Sequence, residues 1–268
     1  MQTREGDLLK TKYNIIFDVK GMIHPPHKAI AFPRFIPASS GNRKLKEVAY
    51  EKVYPLLERF KFLERNLPHY LVHDPVFDET LCEVPVDDIE KQYKPVEKLR
   101  ELRGSKSLKG LEKLARELAE FLKENAKVPW NGVGISGSLL VGLHMTKSDI
   151  DPVFYGSKNC WKVYSVLRSM LKDAASPFKH YTREDLKALF DFRSKDTIMS
   201  FEDFVKAESK KSFQGKFMGT DYFIRFMKDW NEINENYGDV CYKDCGYARI
   251  KATIADDSES IFTPCKYD

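Results

Sequence analysis

The sequence lacks any uncharged apolar stretch long enough to cross a membrane. Its longest uncharged run, from Val128 to Thr146, contains a proline, an asparagine, four glycines and a histidine, whereas a spanning helix needs about 20 predominantly apolar residues. Residues 1–12 are mostly polar and charged, without the apolar core of a secretory leader. We therefore predict no membrane-spanning segment and expect a cytoplasmic protein.

Cysteine is also scarce, and its spacing excludes the commonest structural metal motif. The five cysteines form no Cys-x-x-Cys pair, so no zinc knuckle is indicated and we expect reduced thiols. Cys241 and Cys245 leave two alternatives open, namely a disulfide or, with Cys265, a metal site whose fourth ligand is missing nearby. The formal net charge is only +4 and identifies no partner by itself.

What the sequence has in quantity is the material of a folded core. Hydrophobic residues make up 42% and aromatic residues 13%, which excludes a disordered chain. Charged residues at 31% and a mean hydropathy of −0.48 are typical of a soluble protein with heavily charged helices. At 268 residues the chain is long enough for two modest domains.

The stretch 134–156 combines a glycine-rich turn with paired carboxylates. Its order predicts a strand, a tight turn at Gly137-Ser138, a short helix, a loop and a second strand. The first N–H groups of such a helix have no intrahelical partners and suit a phosphate. Asp149 and Asp151 would leave one strand face roughly 6 to 7 Å apart, where a divalent cation could bind them. The alternative is a structural turn followed by two solvated aspartates.

Gly137-Ser138, followed after ten residues by Asp149-Ile150-Asp151, resembles the signature of the DNA-polymerase-beta-like nucleotidyltransferase superfamily. The resemblance covers only this stretch of the chain. It implies that Gly137 and Ser138 hold the triphosphate of an incoming nucleotide. It also implies that Asp149 and Asp151 bind Mg²⁺ or Mn²⁺, which prefer few carboxylates plus phosphate oxygens.

A third carboxylate is the main departure from the superfamily pattern. In the superfamily it lies on a strand beside the Asp-x-Asp and takes a proton from the acceptor hydroxyl or completes the metal site. The strand centre that begins at Phe223 has no acid, and Asp221 is the candidate because it shares the strand face of Phe223. Asp239, Asp256 and Asp257 are weaker candidates, and an exposed turn residue is the alternative for Asp221.

The chain is predicted to be an α+β protein in three parts. Residues 107–230 would form a nucleotidyltransferase-like mixed sheet with packed helices, residues 1–106 an N-terminal α/β module, and residues 231–268 a C-terminal β-hairpin. Residues 17–33 and 248–264 share their alternation and turn placement at one constant offset. This indicates either a weak internal repeat of two hairpins that pack together or a coincidence between generic hairpins.

Helical periodicity is strongest from Ser107 to Lys123, and a second helix is predicted from Glu47 to Leu67 with a kink at Pro55. The outward side of the helices between residues 95 and 123 carries lysines and arginines interspersed with glutamates. Two interpretations remain open. The charges form a solvated face with ion pairs, or they follow a nucleic-acid backbone.

The leading functional hypothesis is metal-dependent transfer of a nucleoside monophosphate from a nucleoside triphosphate to an acceptor hydroxyl, with release of pyrophosphate. The acceptor is open among RNA, protein and small molecules. Two alternatives belong to other classes. One is a nucleotide-binding regulator without turnover, and the other is a nucleic-acid-binding module that uses the basic helices.

Overall fold

The computed structural model describes residues 1–193 and 199–268 and shows an α+β protein, as the sequence predicts. The chain forms two compact units. The terminal unit combines residues 1–93 with residues 226–268, and the central unit is residues 94–225. No helix in the described part of the chain is both long and apolar enough to cross a membrane.

The terminal unit is organised around an eight-stranded sheet. Its elements are β1 (Leu8–Thr11), β2 (Ile16–Val19), β3 (Lys28–Pro37), β4 (Arg43–Leu45), β5 (Val48–Lys52), α1 (Leu56–Asn66), β6 (Leu71–Asp74), β7 (Glu79–Pro85) and β8 (Ile89–Tyr93). One path through the sheet runs β4-β5-β3-β2-β1-β8, and β7 pairs with β3 and β6. The predicted N-terminal hairpin is confirmed as β2 and β3, which pair antiparallel.

The core of the terminal unit includes residues of this sheet and of α1. Leu63 from α1 and Phe17 from β2 belong to one buried cluster. Tyr70 is fully buried in the same cluster, and its hydroxyl donates to Asp88 at 2.6 Å. Lys12 lies 2.5 Å from the other oxygen of that carboxylate. A buried phenol and a buried carboxylate thus satisfy each other, as polar groups in a core require.

The predicted helix from Glu47 to Leu67 is wrong in its first part. Residues 48–52 form β5, which pairs with β3 and β4, and α1 begins only at Leu56. Pro55 precedes α1 with extended backbone angles (φ −65°, ψ 135°) instead of kinking a longer helix. The residues before the proline pair with neighbouring strands and so cannot continue the helix. The proline has no N–H to donate, which suits the start of a helix.

The predicted C-terminal β-hairpin is also wrong. Residues 231–268, all of them described, contain no strand, so residues 17–33 and 248–264 are not a structural repeat. Ile250 and Ile254 are 80% and 59% exposed. Alternating apolar residues form a strand where one face is covered, and this segment has no such cover.

The central unit contains most of the helices. Its elements are α2 (Pro95–Gly104), α3 (Gly110–Ala126), β9 (Val133–Ile135), α4 (Gly137–Leu140), β10 (Pro152–Tyr155), α5 (Ser157–Met170), β11 (Phe178–Lys179), α6 (Arg183–Arg193), α7 (Phe201–Glu208), β12 (Gln214–Phe217) and β13 (Thr220–Phe223), with β14 (Arg225–Met227) where the chain leaves the unit. β9 pairs antiparallel with β10. β11, β12 and β13 form a second small sheet, in which β12 and β13 pair antiparallel as a hairpin.

This unit begins at Lys94 and not at the predicted residue 107, because α2 packs against β9. A Cβ added to Gly134 in β9 would lie 2.5 Å from the backbone and side chain of Pro95. Contact this close leaves room only for glycine at position 134. The start of α2 therefore belongs to the same packed layer as β9.

The predicted amphipathic helix is confirmed as α3. Its buried side consists of Leu111, Ala115, Leu118, Ala119, Leu122 and Ala126. On its outward side, Lys113 lies 3.7 Å from a carboxylate oxygen of Glu117. Arg116 lies 3.9 Å from a carboxylate oxygen of Glu120. Two cations on the outward side of α3 thus form ion pairs with glutamates, as the solvated-face interpretation expects.

Candidate active site

The turn after β9 is shaped for the close approach of a carboxylate. Gly137 has a φ of +64°, in the left-handed region that favours glycine. A Cβ placed on Gly137 would lie 1.8 Å from Oδ2 of Asp151, far inside the 3.4 Å at which ordinary van der Waals contact begins. Any side chain at position 137 would therefore displace the Asp151 carboxylate.

Asp151 is held beside this turn by its own backbone. The N–H of Ser136 donates to the carbonyl oxygen of Asp151 at 2.8 Å. Ile150 is fully buried, and alternation along the chain sends Asp149 and Asp151 to the side opposite Ile150. The two halves of the predicted signature thus lie together, with the Gly137 turn against the carboxylate of Asp151.

Asp221 lies on the strand next to the Asp-x-Asp. Tyr222 of β13 and Ile150 form a parallel bridge. The N–H of Ile150 donates to the Asp221 carbonyl at 2.9 Å, and the N–H of Phe223 donates to the Ile150 carbonyl at 2.9 Å. In this register Asp149 is the neighbour of Asp221 across strands about 4.8 Å apart, with both side chains on one face. The predicted third carboxylate therefore lies on the neighbouring strand, opposite Asp149.

Asp221 forms an ion pair with a lysine of the same hairpin. Lys216 is paired opposite Asp221 in the β12–β13 hairpin, and its Nζ lies 3.4 Å from Asp221 and 3.0 Å from Asp185. The hydrogen bond to Asp185, followed by the nearby negative charges, raises the pKa of Lys216. Burial opposes ionisation of Asp185, but the N–H of Thr182 and the Lys216 ammonium outweigh it and lower the pKa of that carboxyl. The Asp221 carboxylate is partly neutralised by the same cation.

Tyr181 lies near the carboxylates as well. Burial, and after it the negative charges of Asp221 and Asp149, raise the pKa of the Tyr181 phenol. Tyr181 is therefore neutral at ordinary pH.

Ser138 contributes a buried hydroxyl. The residue is 1% exposed, and its Oγ makes no hydrogen bond with any described residue. Leaving such a group without a partner costs about 1–3 kcal/mol. Because α4 is a single turn, it has few aligned peptide dipoles. What the turn offers an anion is individual N–H groups, not a strong helix dipole, and the Ser138 hydroxyl is buried beneath them.

The donor set suits Mg²⁺ only together with a substrate. Among the described residues, no group of three or more His, Cys, Asp or Glu side chains is arranged to hold a metal ion. Asp149 and Asp151 remain as a carboxylate pair. Mg²⁺ commonly takes one or two carboxylates and completes its octahedron with phosphate oxygens and water, so the pair fits a metal–nucleotide complex. The weaker third candidates belong to the terminal unit.

Lys216 and Tyr181 are absent from the residues that the sequence predicts for this site. Lys216 could have been found, because a hairpin turning at Gly219-Thr220 places it opposite Asp221. Tyr181 follows β11, and no periodicity or motif in the sequence connects it with the Asp-x-Asp. Its position depends on how β11 joins the sheet of β12 and β13.

Comparisons with known proteins identify a relative but no activity. No protein-family model matches the chain, and no solved structure matches it. The chain is 31% identical over 276 residues to a Methanocaldococcus jannaschii protein that carries the name "Uncharacterized protein MJ1086". The alignment covers 100% of this chain and 80% of that protein, so it includes both compact units. The chain therefore belongs to the same protein family as MJ1086 of Methanocaldococcus jannaschii.

Proposed function

We propose that the protein is a metal-dependent nucleotidyltransferase, which moves a nucleoside monophosphate from a nucleoside triphosphate to an acceptor hydroxyl. The observation that supports this function most strongly is the contact between the Gly137 turn and Asp151. A metal–triphosphate complex needs a phosphate-binding turn and a carboxylate pair in one place. Asp149 and Asp221 on adjacent strands, and the resemblance of Gly137-Ser138 and the Asp-x-Asp to the superfamily signature, support the same function.

In this function the strand residues bind the metal and the turn residues bind the phosphates. Asp149 and Asp151 hold Mg²⁺ or Mn²⁺, while Gly137 and Ser138 bind the distal phosphates. When bound, the cation would neutralise negative charge on the triphosphate and on the departing pyrophosphate. The acceptor oxygen bonds to the α-phosphorus as the bond to the pyrophosphate oxygen breaks, and a base takes the hydroxyl proton.

Asp221 is the candidate for that base, but it can accept the proton only after Lys216 moves away from it. Both side chains are partly exposed, at 52% for Asp221 and 31% for Lys216. Ion pairs in such positions contribute only about 0–1 kcal/mol. A triphosphate with several negative charges can therefore draw Lys216 away, which leaves Asp221 free to accept the proton.

A nucleotide-binding regulator is the second candidate, and the Lys216–Asp221 ion pair is the observation that favours it. With Asp221 held by Lys216 after substrate binds, the site would still take a metal–nucleotide complex but would release no pyrophosphate. The basic helices give little support to a third function in nucleic-acid binding, because Lys113 and Arg116 of α3 face glutamates.

The test is to incubate the protein with each nucleoside triphosphate labelled at the α-phosphorus, Mg²⁺ or Mn²⁺, and total RNA, protein extract or a small-molecule fraction. We expect label to move into one acceptor class with equimolar pyrophosphate, and to stop in EDTA and in Asp149→Asn. Asp191→Asn is the matched control, because Asp191 is exposed and the ion pair that it forms among the described residues is with Lys187 on the same helix. Metal-dependent nucleotide binding without pyrophosphate would favour the regulator, and absence of such binding would reject both functions.

A further inference from the structure

The ammonium of Lys216 is shared between two carboxylates of the central unit. Its Nζ lies 3.0 Å from Oδ1 of Asp185 and 3.4 Å from Oδ1 of Asp221. The hydrogen bond to Asp185 is also the largest cause of the raised pKa of Lys216, ahead of the charge on Asp221. Asp185 is therefore the main partner of this lysine, and Asp221 is the second.

Asp185 is held in place by the start of α6. The carbonyl of Thr182 accepts from the N–H of Leu186 at 2.9 Å, as the residue before a helix does. The N–H of Thr182 donates to Oδ2 of Asp185 at 3.0 Å, and the N–H of Asp185 donates to Oγ1 of Thr182 at 3.2 Å. This is a capping box in which an aspartate replaces the usual glutamate or glutamine. One carboxylate oxygen of Asp185 is thus committed to the helix, and Oδ1 remains for Lys216.

Asp221 is held less firmly than Asp185. Its side chain is 52% exposed, against 25% for Asp185, and among the described residues its carboxylate pairs with Lys216 alone. A lysine ammonium has three N–H donors. Lys216 can therefore keep its bond to Asp185 while it exchanges Asp221 for another oxygen.

The position of Asp221 suggests which oxygen that is. The bridge between Ile150 and Tyr222 places Asp221 on the strand next to Asp149 and Asp151, the proposed metal ligands. A triphosphate bound through the metal would bring several negatively charged oxygens to this part of the sheet. These oxygens would compete with the Asp221 carboxylate for the ammonium.

We propose that Asp185 is a positioning residue of the transfer reaction, which keeps Lys216 at the site while its ammonium exchanges the Asp221 carboxylate for a phosphate oxygen. This role rests on the proposed function, in which Asp221 takes the proton of the acceptor hydroxyl. Without the anchor, Lys216 would retain only Asp221 and would mask the base. The structural alternative is that Asp185 only caps α6 and that its ion pair has no part in the reaction.

Two substitutions separate the anchor from the cap. Asp185→Asn removes the charge that faces Lys216, while its amide oxygen can still accept from the N–H of Thr182. We expect it to lower kcat by about two- to fivefold with little change in melting temperature, because ion pairs at this exposure are weak. Thr182→Ala is the matched control. It should lower the melting temperature and leave kcat unchanged, because it removes the capping hydroxyl but not the Asp185 carboxylate.

A double-variant cycle shows whether Asp185 acts through Lys216. In the Lys216→Met background, Asp185→Asn should leave kcat unchanged, because no ammonium remains to be positioned. The same fall in kcat in both backgrounds would mean a structural role and would overturn the proposal. If Lys216→Met transfers too little nucleotide to measure, the signal of the lysine itself decides.

That signal is followed by NMR in protein labelled with ¹³C at the lysine ε-carbons, where the peak of Lys216 is the one absent from Lys216→Met. Its pH midpoint should fall in Asp185→Asn and stay constant in Thr182→Ala. In the parent protein, Mg²⁺ with inorganic tripolyphosphate should shift the peak more than Mg²⁺ with orthophosphate does.

These measurements keep the inference separate from the proposed function. An unchanged midpoint in Asp185→Asn would overturn the anchor, and equal shifts with tripolyphosphate and orthophosphate would overturn the exchange. A parent protein that transfers no nucleotide, but whose Lys216 peak moves as expected, would instead reject the proposed function and retain Asp185 as the anchor of Lys216.

Discussion

The Gly137→Ala substitution probes the contact on which the candidate site depends. At a φ of +64°, an added Cβ costs about 1–2 kcal/mol from the left-handed backbone alone. The same Cβ would stand 1.8 Å from Asp151 Oδ2, so the carboxylate must retreat by about 1.6 Å to reach ordinary contact at 3.4 Å. Forcing that side chain off its rotamer adds about 0.5–1.5 kcal/mol. We therefore expect a loss of about 1.5–3.5 kcal/mol in the free energy of unfolding.

Gly21→Ala is the matched control for backbone strain. Gly21 has a φ of +71°, and a Cβ there would meet nothing within 4 Å. Urea denaturation should show a loss of about 1–2 kcal/mol for Gly21→Ala, with unchanged nucleotide transfer. Gly137→Ala should lose about a hundredfold in transfer, because misplacing a catalytic group by about 1 Å costs that much. Equal stability losses and normal transfer in both variants would refute the contact as the organising feature of the site.

Three further perturbations test neighbouring parts of the structure. Asp149→Asn and Asp151→Asn should each abolish metal-dependent transfer and the rise in melting temperature with Mg²⁺ and nucleotide. In EDTA, Asp149→Asn should be neutral or mildly stabilising, and melting well below the parent protein would make Asp149 structural. Ser138→Ala should stabilise the free protein by up to about 1–3 kcal/mol, because it removes a buried hydroxyl without a partner, while weakening triphosphate binding more than monophosphate binding in calorimetry. Tyr70→Phe should cost about 1.5–3 kcal/mol near pH 7 by removing the hydrogen bond to ionised Asp88. Burial opposes ionisation of Asp88, but Lys12 and Tyr70 hold the pKa of its carboxyl below the unfolded value of about 3.9. The Tyr70 hydrogen bond should therefore contribute its full stabilisation above about pH 3.9. This stabilisation should shrink as the pH falls through the folded pKa of Asp88. A penalty for Tyr70→Phe that stays constant over the whole acid range, down to the pH at which the parent protein unfolds, would contradict this.

The part of the site that the sequence reveals is the part fixed by local chain geometry. Positive φ at Gly137 and alternation around Ile150 follow from residues adjacent in the chain. Asp221 could be named because a hairpin turn sets which residues share its strand face. These local features are enough to predict that Gly137 lies near the Asp-x-Asp and that Asp221 lies on a strand beside it.

The features that the sequence does not reveal depend on distant pairing. Residues 48–52 have helical spacing but join β3 and β4 as a strand. Residues 248–254 alternate like a strand but have no covered face, so the same pattern produces no sheet there. Tyr181 follows β11, whose pairing with β12 no local pattern encodes. Periodicity describes what a segment can bury, and tertiary contacts decide whether it does.

The most direct test of the central claim is anomalous diffraction from crystals that contain Mn²⁺ and a non-hydrolysable nucleoside triphosphate. We expect an anomalous peak bound by oxygens of Asp149 and Asp151, with the triphosphate against Gly137 and Ser138 and Lys216 moved from Asp221 toward a phosphate. Crystals of Asp151→Asn grown in the same way should lack the peak. Nucleotide and Mn²⁺ bound elsewhere, or a nucleotide at this turn with no metal on the two aspartates, would contradict the proposed nucleotidyltransferase site.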